Sequence, residues 1–340
     1  MVSIGILGGG GFLGSHLLAA LLSRGDFQVE AVDTTFVKVA TSHPQLVLTQ
    51  GSIDEPGLLA GVVARNQIVV STTALCNPSL YNTQPAEVIH ANFTHLVPLV
   101  ELCVREQKRL IHFSTCEVYG KTLPAAGLNE DLSPFLLGPV AKERWSYACA
   151  KQLLERLLWA HGQHGDLNFT IVRPFNVIGP RMDFIPGIDG EGIPRVLACF
   201  MRALLFGEAL PLVDGGRQRR SFIYVDDFTE AVLRVIEREA ACRGQIINIG
   251  NPHNNTRIDE LASRLSAVFA SGKDVPVRRV EVSAEEFYGA GYDDVVERIP
   301  DIDKARSLLN WEPQTSLEQM LAPIVDDYRA RYQPQAAGEQ

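Results

Sequence analysis

The chain has 340 residues, of which 46% are hydrophobic and 21% are charged, values that fit a globular enzyme and exclude a disordered or fibrous protein. Its formal charge of −9 argues against a nucleic-acid surface, which needs an excess of lysine and arginine. No apolar run approaches the roughly 20 residues of a membrane helix, and no basic leader or cleavage site precedes the first apolar run. We therefore expect a cytoplasmic protein without nucleic-acid or membrane partners.

The first 33 residues predict a strand, a helix and a second strand. Residues 2–7 form a short apolar run, residues 11–24 have helical periodicity, and residues 28–32 form a second apolar run that ends in Asp33. Such a succession is typical of a βαβ unit.

Further strand-like runs alternate with helical stretches, including a long one predicted over residues 85–107. The pattern predicts an α/β protein with a Rossmann-type doubly wound parallel sheet, covered by helices on both faces, and a smaller C-terminal lobe. Ligands of such sheets bind beyond the carboxyl ends of the strands. The further strand-like runs are residues 46–49, 68–71, 110–114 and 169–173.

A glycine-rich turn joins the first predicted strand to the first predicted helix. Glycines in this position allow a tight turn, close approach of backbone N–H groups to a pyrophosphate, and a helix N-terminus that faces the phosphates. Asp33 follows 19 residues after Gly14, where a carboxylate would bind the adenosine ribose and favour NAD over NADP. The predicted cofactor-binding residues of the turn are Gly8, Gly11, Phe12, Leu13 and Gly14.

Tyr147 and Lys151 are spaced four residues apart in a predicted helix. Positions i and i+4 share a helix face, so the lysine ammonium can lower the pKa of the phenol, assisted by the positive charge of the cofactor. A phenolate can then take the proton from a sugar hydroxyl. The alternative interpretation is an amphipathic helix with one aromatic residue and one surface lysine.

The glycine spacing and the Tyr147–Lys151 pair resemble those of the extended short-chain dehydrogenase/reductase family. The resemblance implies that Thr115 hydrogen-bonds the substrate near the oxidised hydroxyl, and that Pro174 follows the strand beneath the nicotinamide. Tyr147 and Lys151 would contact the cofactor as well.

Longer blocks resemble the UDP-apiose/UDP-xylose synthases, a nucleotide-sugar branch of that family close to the UDP-glucuronate decarboxylases. The likeness extends over nearly the whole chain. Its blocks are residues 112–121, 144–151, 173–176, 179–190, 212–216, 287–289, 292–294 and 298–301.

This resemblance implies conversion of UDP-glucuronate to UDP-apiose and UDP-xylose with a retained NAD. Tyr147 would be the base for the C4 hydroxyl and Lys151 its electrostatic partner. Cys76 and Cys116 would supply acid-base groups over C2 and C3 for the ring contraction, and Glu117 would handle protons near the ring. A thiol, with an ordinary pKa of about 8.5, can exchange protons with carbon where a serine can only hydrogen-bond.

The substrate is anionic, and guanidinium groups suit both its carboxylate and its diphosphate. Arg144 and Arg298 resemble arginines that hold the carboxylate, while Arg195 and Arg220 are the candidates for the diphosphate. The predicted substrate-binding residues are Arg144, Asn176, Arg195, Arg220, Tyr288 and Arg298.

The spacing of the six cysteines and eight histidines predicts neither disulfides nor a metal site. We divide the chain into an NAD-binding domain over residues 1–174, to which some later segments return, a substrate lobe over residues 175–332, and a frayed tail over residues 333–340. Family members form homodimers through helices corresponding to residues 85–107 and 144–161, but here these helices could equally just cover the sheet.

Two other functions stay open at the level of sequence. A UDP-glucuronate decarboxylase would stop at UDP-xylose or a 4-keto pentose. A non-catalytic NAD-sensing protein would keep the fold, but it would have no use for Tyr147 and Lys151.

Overall fold

The computed structural model describes residues 1–122, 127–271, 277–289 and 292–336. Strands and helices alternate through the first half, and short 3-10 turns occur at Thr94–Leu96, Cys116–Tyr119 and Glu143–Trp145. The strands are β1 (Val2–Leu7), β2 (Phe27–Asp33), β3 (Leu46–Gln50), β4 (Ile68–Ser71), β5 (Arg109–Phe113) and β6 (Asn168–Pro174). The helices are α1 (Phe12–Arg24), α2 (Leu58–Arg65), α3 (Pro78–Thr83), α4 (Pro85–Asn92), α5 (Val97–Arg105) and α6 (Ser146–Gln163).

The second half adds short strands and seven further described helices, most of which form a smaller lobe. The strands are β7 (Val177–Ile178), β8 (Leu210–Val213), β9 (Arg219–Ser221), β10 (Ile223–Tyr224), β11 (Gln245–Ile249), β12 (Asn255–Arg257), β13 (Arg279–Val282) and β14 (Glu297–Arg298). The helices are α7 (Val196–Phe206), α8 (Val225–Glu237), α9 (Glu239–Cys242), α10 (Ile258–Ala270), α11 (Ala284–Tyr288), α12 (Asp303–Leu309) and α13 (Leu317–Ala336).

Seven parallel strands form the central sheet in the order β3-β2-β1-β4-β5-β6-β11. The chain winds outward in opposite directions from β1 and β4, so the carboxyl ends of these two strands flank a crevice. The predicted fold class, a Rossmann-type doubly wound sheet with a smaller C-terminal lobe, is confirmed. β11 belongs to this sheet although it follows the start of the lobe in sequence.

Side chains alternate between the two faces of each strand, and β5 shows how this builds the core. Leu110 packs with Leu154 and Leu158 of α6 on one face. Phe113 points to the other face, where its ring lies edge-on to Phe228 of α8 at 5.4 Å. Apolar side chains therefore cover both faces of the sheet, and the polar side chains of the site lie at the strand ends.

The single helix predicted over residues 85–107 is wrong, because the structure divides this region. α4 ends at Asn92, a 3-10 turn follows, and α5 begins at Val97 with Pro98 in its first turn. Proline has no backbone N–H and is tolerated at the start of a helix but not in its interior. Pro98 therefore fits only where a new helix begins.

The C-terminal segment also differs from its prediction. The rings of Tyr328 and Tyr332 are buried, and α13 continues past them to Ala336. The tail predicted to be frayed over residues 333–340 thus begins inside a helix, and residues 337–340 lie outside the described part. No helix within the described ranges combines the length and apolar character required to cross a membrane. All six cysteines, each in a described segment, are free thiols.

Candidate active site

A cavity of about 530 Å³ opens at the carboxyl ends of β1, β4 and β5, between the sheet and the smaller lobe. Most of the residues predicted for cofactor, chemistry and substrate line it, whereas Asp33 and Lys151 lie outside its wall. The predicted residues that line the cavity are Gly8, Gly11, Phe12, Leu13, Gly14, Cys76, Thr115, Cys116, Glu117, Arg144, Tyr147, Pro174, Asn176, Arg195, Arg220, Tyr288 and Arg298.

The glycine turn forms one end of the cavity. A Cβ on Gly14 would lie 2.1 Å from the Gly8 carbonyl oxygen, so α1 can pack this closely only with glycine there. Gly8 itself has a φ of 81°, in the left-handed region that favours glycine. Asp33 accepts a hydrogen bond from the Gly10 N–H at 2.9 Å, which fixes the turn from the end of β2.

This end of the cavity fits the pyrophosphate and ribose of NAD. Gly11 is the N-cap of α1, and among the described residues no side chain caps the helix, so its first N–H groups are available to phosphate oxygens. The turn engages Asp33 Oδ2, while Oδ1 accepts longer hydrogen bonds from Thr34 Oγ1 and the Thr35 N–H, both at 3.4 Å. The binding of the Asp33 carboxylate to a ribose stays a prediction.

Tyr147 and Lys151 lie on the sheet-facing side of α6. Tyr147 is 3% exposed, and burial, followed by the neighbouring Cys76 thiol, raises its pKa well above the usual range. Lys151 is fully buried, and its Nζ donates to the Phe113 carbonyl oxygen at 3.0 Å. Burial lowers the pKa of Lys151 to about 8. The phenol therefore depends on a nearby positive charge for its deprotonation.

Thr115 begins the segment that carries the next group of predicted residues. Its Oγ1 accepts a hydrogen bond from the Glu117 N–H at 3.2 Å, which caps the 3-10 turn Cys116–Tyr119. The turn directs both Cys116 and Glu117 into the cavity wall.

The two predicted thiols reach the same cavity from different strands. Cys76, in the loop after β4, accepts a hydrogen bond from the Tyr81 hydroxyl, with 3.7 Å between oxygen and sulfur. Cys116 is 4% exposed and packs beside Tyr119 and Phe175 while still contributing to the wall. Burial raises the pKa of the Cys116 thiol, so it is protonated at neutral pH.

Glu117, Arg144 and Arg298 form a buried charge cluster. Glu117 accepts a hydrogen bond from Arg144 at 2.6 Å and another from Arg298 at 3.1 Å. Burial alone would raise the pKa of Glu117, but the two guanidinium groups hold it well below its usual range. The cluster contains one carboxylate and two guanidinium groups, so its net charge is +1.

The two arginines predicted to hold the substrate carboxylate are thus paired with Glu117. Arg298 Nη2 and Nε have no hydrogen-bond partner among the described residues, although both atoms are buried. An anion in the cavity could satisfy them without displacing Glu117.

Arg195 and Arg220 lie at different parts of the wall. Arg195 Nε donates to Asp183 at 3.1 Å, and its guanidinium lies 5.8 Å from the ring centre of Phe12, near the start of α1. Arg220 pairs with Asp294 at 2.6 Å. Each arginine is therefore partly neutralised by a carboxylate before any ligand binds.

Asn176 and Tyr288 complete the predicted substrate contacts in the wall. Asn176 has a φ of 38°, unusual for a residue other than glycine, and its Nδ2 donates to the Ser221 carbonyl oxygen at 3.1 Å. The Tyr288 ring stacks on Tyr292, with 4.1 Å between ring centres.

Sequence reasoning missed an aromatic wall around the reacting groups. The Tyr81 ring stacks on Tyr147, with 5.2 Å between ring centres and 7° between planes. The Arg144 guanidinium lies 5.7 Å from the centre of Tyr81 and 5.6 Å from that of Tyr292. The one available signal for Tyr81 was its position shortly after the carboxyl end of β4, where ligands bind in such sheets.

Comparison with known proteins supports these features. A profile of the NAD dependent epimerase/dehydratase family matches residues 4–250. The chain belongs to this family, and the prediction of NAD as its cofactor is confirmed.

The chain is also similar to individual proteins whose names are more specific than that of the family. UDP-D-apiose/UDP-D-xylose synthase 1 of Arabidopsis thaliana is 46% identical over 94% of this chain and 89% of that protein. The UDP-D-apiose/UDP-D-xylose synthase of Oryza sativa subsp. japonica is 45% identical over 94% of this chain and 87% of that protein. Among solved structures, PbgP3 protein from Burkholderia pseudomallei is 33% identical, with a TM-score of 0.87 over 98% of both chains. The predicted resemblance to the synthases is confirmed.

Proposed function

We propose that this chain converts UDP-glucuronate to UDP-apiose and UDP-xylose with NAD as a retained cofactor. The observation that carries the proposal is that Cys76 and Cys116 line one cavity together with Tyr147 and the glycine turn. The identity to two plant synthases over 94% of the chain supports the same conclusion.

The first stage oxidises the sugar at C4. NAD, which the glycine turn at Gly8, Gly11 and Gly14 would hold, would supply the reversible hydride transfer that this oxidation requires. Tyr147 takes the proton of the C4 hydroxyl as general base, and the Lys151 ammonium stabilises the phenolate. Thr115 hydrogen-bonds the substrate near this hydroxyl.

The second stage removes the carboxylate. Arg298 and Arg144 hold the C5 carboxylate next to Glu117. The bond between C5 and the carboxylate carbon breaks, carbon dioxide leaves, and the electrons of that bond flow into the C4 carbonyl. Protonation at C5 and hydride return to C4 then give UDP-xylose. Glu117, which Arg144 and Arg298 keep ionised, acts near the ring as a carboxylate that accepts protons.

The third stage, on the branch to UDP-apiose, rebuilds the ring. The C2–C3 bond breaks by a retro-aldol step, C4 joins C2 in a smaller ring, and the extruded C3 aldehyde receives the hydride. Cys76 and Cys116 exchange the protons that these steps require over C2 and C3. Both thiols lie in the cavity wall, and a serine hydroxyl is a much weaker acid than a thiol, so serine should not replace them.

We expect Cys76→Ser and Cys116→Ser to lose most of the UDP-apiose while still forming UDP-xylose, because C4 oxidation and decarboxylation do not need the thiols. The pentose products of UDP-glucuronate would be separated and quantified by chromatography and NMR. Cys149→Ser, whose thiol is exposed on α6 outside the cavity, is the matched control.

Unchanged product ratios in both variants would contradict the role of the thiols. The alternative function, a UDP-glucuronate decarboxylase, predicts that the unmodified protein forms UDP-xylose or a 4-keto pentose and no branched sugar.

We further propose that residues 1–174, with β11, bind NAD, and that residues 175–332 bind the UDP-sugar. The glycine turn and Tyr147 lie in the first part, and Arg195, Arg220 and Arg298 in the second. The cytoplasm is the compartment that we propose, because its reducing conditions keep the required thiols free.

A homodimer is the assembly that we propose. Helices α4 and α6 contact each other, but this contact leaves three of their apolar side chains partly exposed. Ile89 of α4 is 40% exposed, and Leu153 and Trp159 of α6 are 49% and 42% exposed. Other apolar residues of the predicted dimer helices, such as Leu99 and Leu154, are buried against the sheet instead.

We expect Leu153→Glu combined with Trp159→Glu to convert a dimer into a monomer, because it places two charges in an apolar contact. Light scattering coupled to size exclusion would give the mass of each protein. Leu132→Glu, at an 84% exposed position in a loop, should leave the mass unchanged. A monomeric unmodified protein would disprove the proposal.

A further inference from the structure

A group of buried polar atoms lies around the carboxyl ends of β4 and β5, and one of them, Ser114 Oγ, belongs to a residue of the cavity wall. Each lacks a hydrogen-bond partner among the described residues. Buried polar groups are normally paired, and clusters of unpaired ones commonly bind internal water. The atoms are Ser71 Oγ, Thr73 Oγ1, Asn92 Oδ1, His112 Nε2 and Ser114 Oγ.

His112 adjoins two members of this group, Ser71 in the sheet register and Ser114 two residues further along the same face. Alternation along β5 puts it on the same face as Leu110, which packs against α6. α6 also carries Lys151, whose Nζ donates to the carbonyl of Phe113, the residue after His112. In the sheet, His112 lies in register with Ser71 on β4 and Ile171 on β6.

The imidazole is neutral and offers one acceptor nitrogen. Burial, and then the charge of Lys151, lower the pKa of His112 well below its usual value. Among the described residues, Lys151 is the charged group that lowers the pKa of His112. The two sheet neighbours, Ser71 and Ile171, are not titratable. A neutral imidazole accepts one hydrogen bond at its unprotonated nitrogen.

Lys151 needs such an acceptor. Its ammonium has three N–H donors, and the Phe113 carbonyl is one partner. A fully buried ammonium is stable only where acceptors replace the water that it has lost. Its charge must nevertheless persist if it is to stabilise the Tyr147 phenolate.

We propose that His112 is a positioning residue, whose imidazole, with the hydroxyls of Ser71 and Ser114, binds internal water and holds Lys151 charged behind Tyr147. The inference rests on the proposed roles of Tyr147 and Lys151. His112 acts through Lys151 and does not itself contact the substrate.

The first test compares His112→Leu with His112→Gln. Leucine removes the acceptor, so the Lys151 ammonium is less stable and Tyr147 deprotonates at higher pH. The acid limb of the pH profile of kcat moves upward by about one unit, and kcat at neutral pH falls about tenfold, since one pKa unit is a tenfold change. KM for UDP-glucuronate is unchanged. The Gln amide oxygen restores the acceptor and most of kcat, whereas equal losses in both variants would indicate a packing role and overturn the proposal.

The second test needs neither a variant nor a substrate. In the unmodified protein with 15N-labelled histidine, the His112 Nε2 resonance should have the shift of an unprotonated nitrogen from pH 6 to pH 8, values that bracket the ordinary histidine pKa of about 6.5. A proton on Nε2, or titration near that ordinary pKa, would overturn the inference. A protein that does not convert UDP-glucuronate would instead refute the proposed function, and the resonance still reports on His112.

Discussion

Replacement of Tyr147 by phenylalanine should lower turnover of UDP-glucuronate by about 10²–10⁴-fold, the usual contribution of a general acid-base group. The phenol is buried in the cavity wall beside Cys76 and Thr115, and no other described residue is placed to accept the C4 proton in the proposed mechanism. The ring of phenylalanine keeps the stacking on Tyr81, so the fold should be preserved.

Steady-state formation of both pentoses would measure this loss, with NAD binding followed by calorimetry in the same preparations. We expect NAD affinity to change little, because the glycine turn is unaltered. Tyr224→Phe is the control, since Tyr224 does not line the cavity. A Tyr147→Phe protein that retains more than a tenth of the activity would exclude Tyr147 as the base.

Glu117→Gln should lower the free energy of unfolding by about 3–5 kcal/mol, the usual cost of breaking a buried ion pair from one side. Arg144 and Arg298 are both 2% exposed, and the substitution leaves two buried guanidinium groups without a counter-charge. Urea unfolding followed by circular dichroism would measure the change. Glu101→Gln, at an exposed position of α5, is the control and should change stability by less than about 0.5 kcal/mol.

The contribution of Glu117 to the free energy of unfolding should depend on pH, and the pKa of Glu117 gives the direction of that dependence. The pKa of Glu117 is lower in the folded protein than in the unfolded chain. Its contribution to stability is therefore fully present above the unfolded pKa of about 4.3, and it is lost as the pH falls through the folded value. The difference in unfolding free energy between the unmodified protein and Glu117→Gln should accordingly narrow in acid. A difference independent of pH would mean that the Glu117 carboxylate is not the stabilising group.

The sequence by itself determined the local elements of the nucleotide-binding half. The strand over residues 68–71 is found at Ile68–Ser71, and the helix predicted over residues 11–24 begins one residue later, at Phe12. Glycine spacing, the Tyr147–Lys151 interval and apolar periodicity act through neighbouring residues, so they can be read along the chain. The division of the helix predicted over residues 85–107 also has a local cause, because Pro98 marks the start of a new helix in the sequence itself.

The tertiary structure decided which distant groups meet. Arg298 is 181 residues from Glu117 in sequence, and together with Arg144 they form a cluster with one net positive charge and unsatisfied N–H donors. The stacking of Tyr81 on Tyr147 and the burial of His112 beside Lys151 depend on α3, β5 and α6 packing at one end of the sheet. No periodicity specifies such contacts, because they arise from the order of strands and the packing of helices across them. Motifs therefore indicated the reaction class, and long-range packing set the charges and neighbours of the reacting groups.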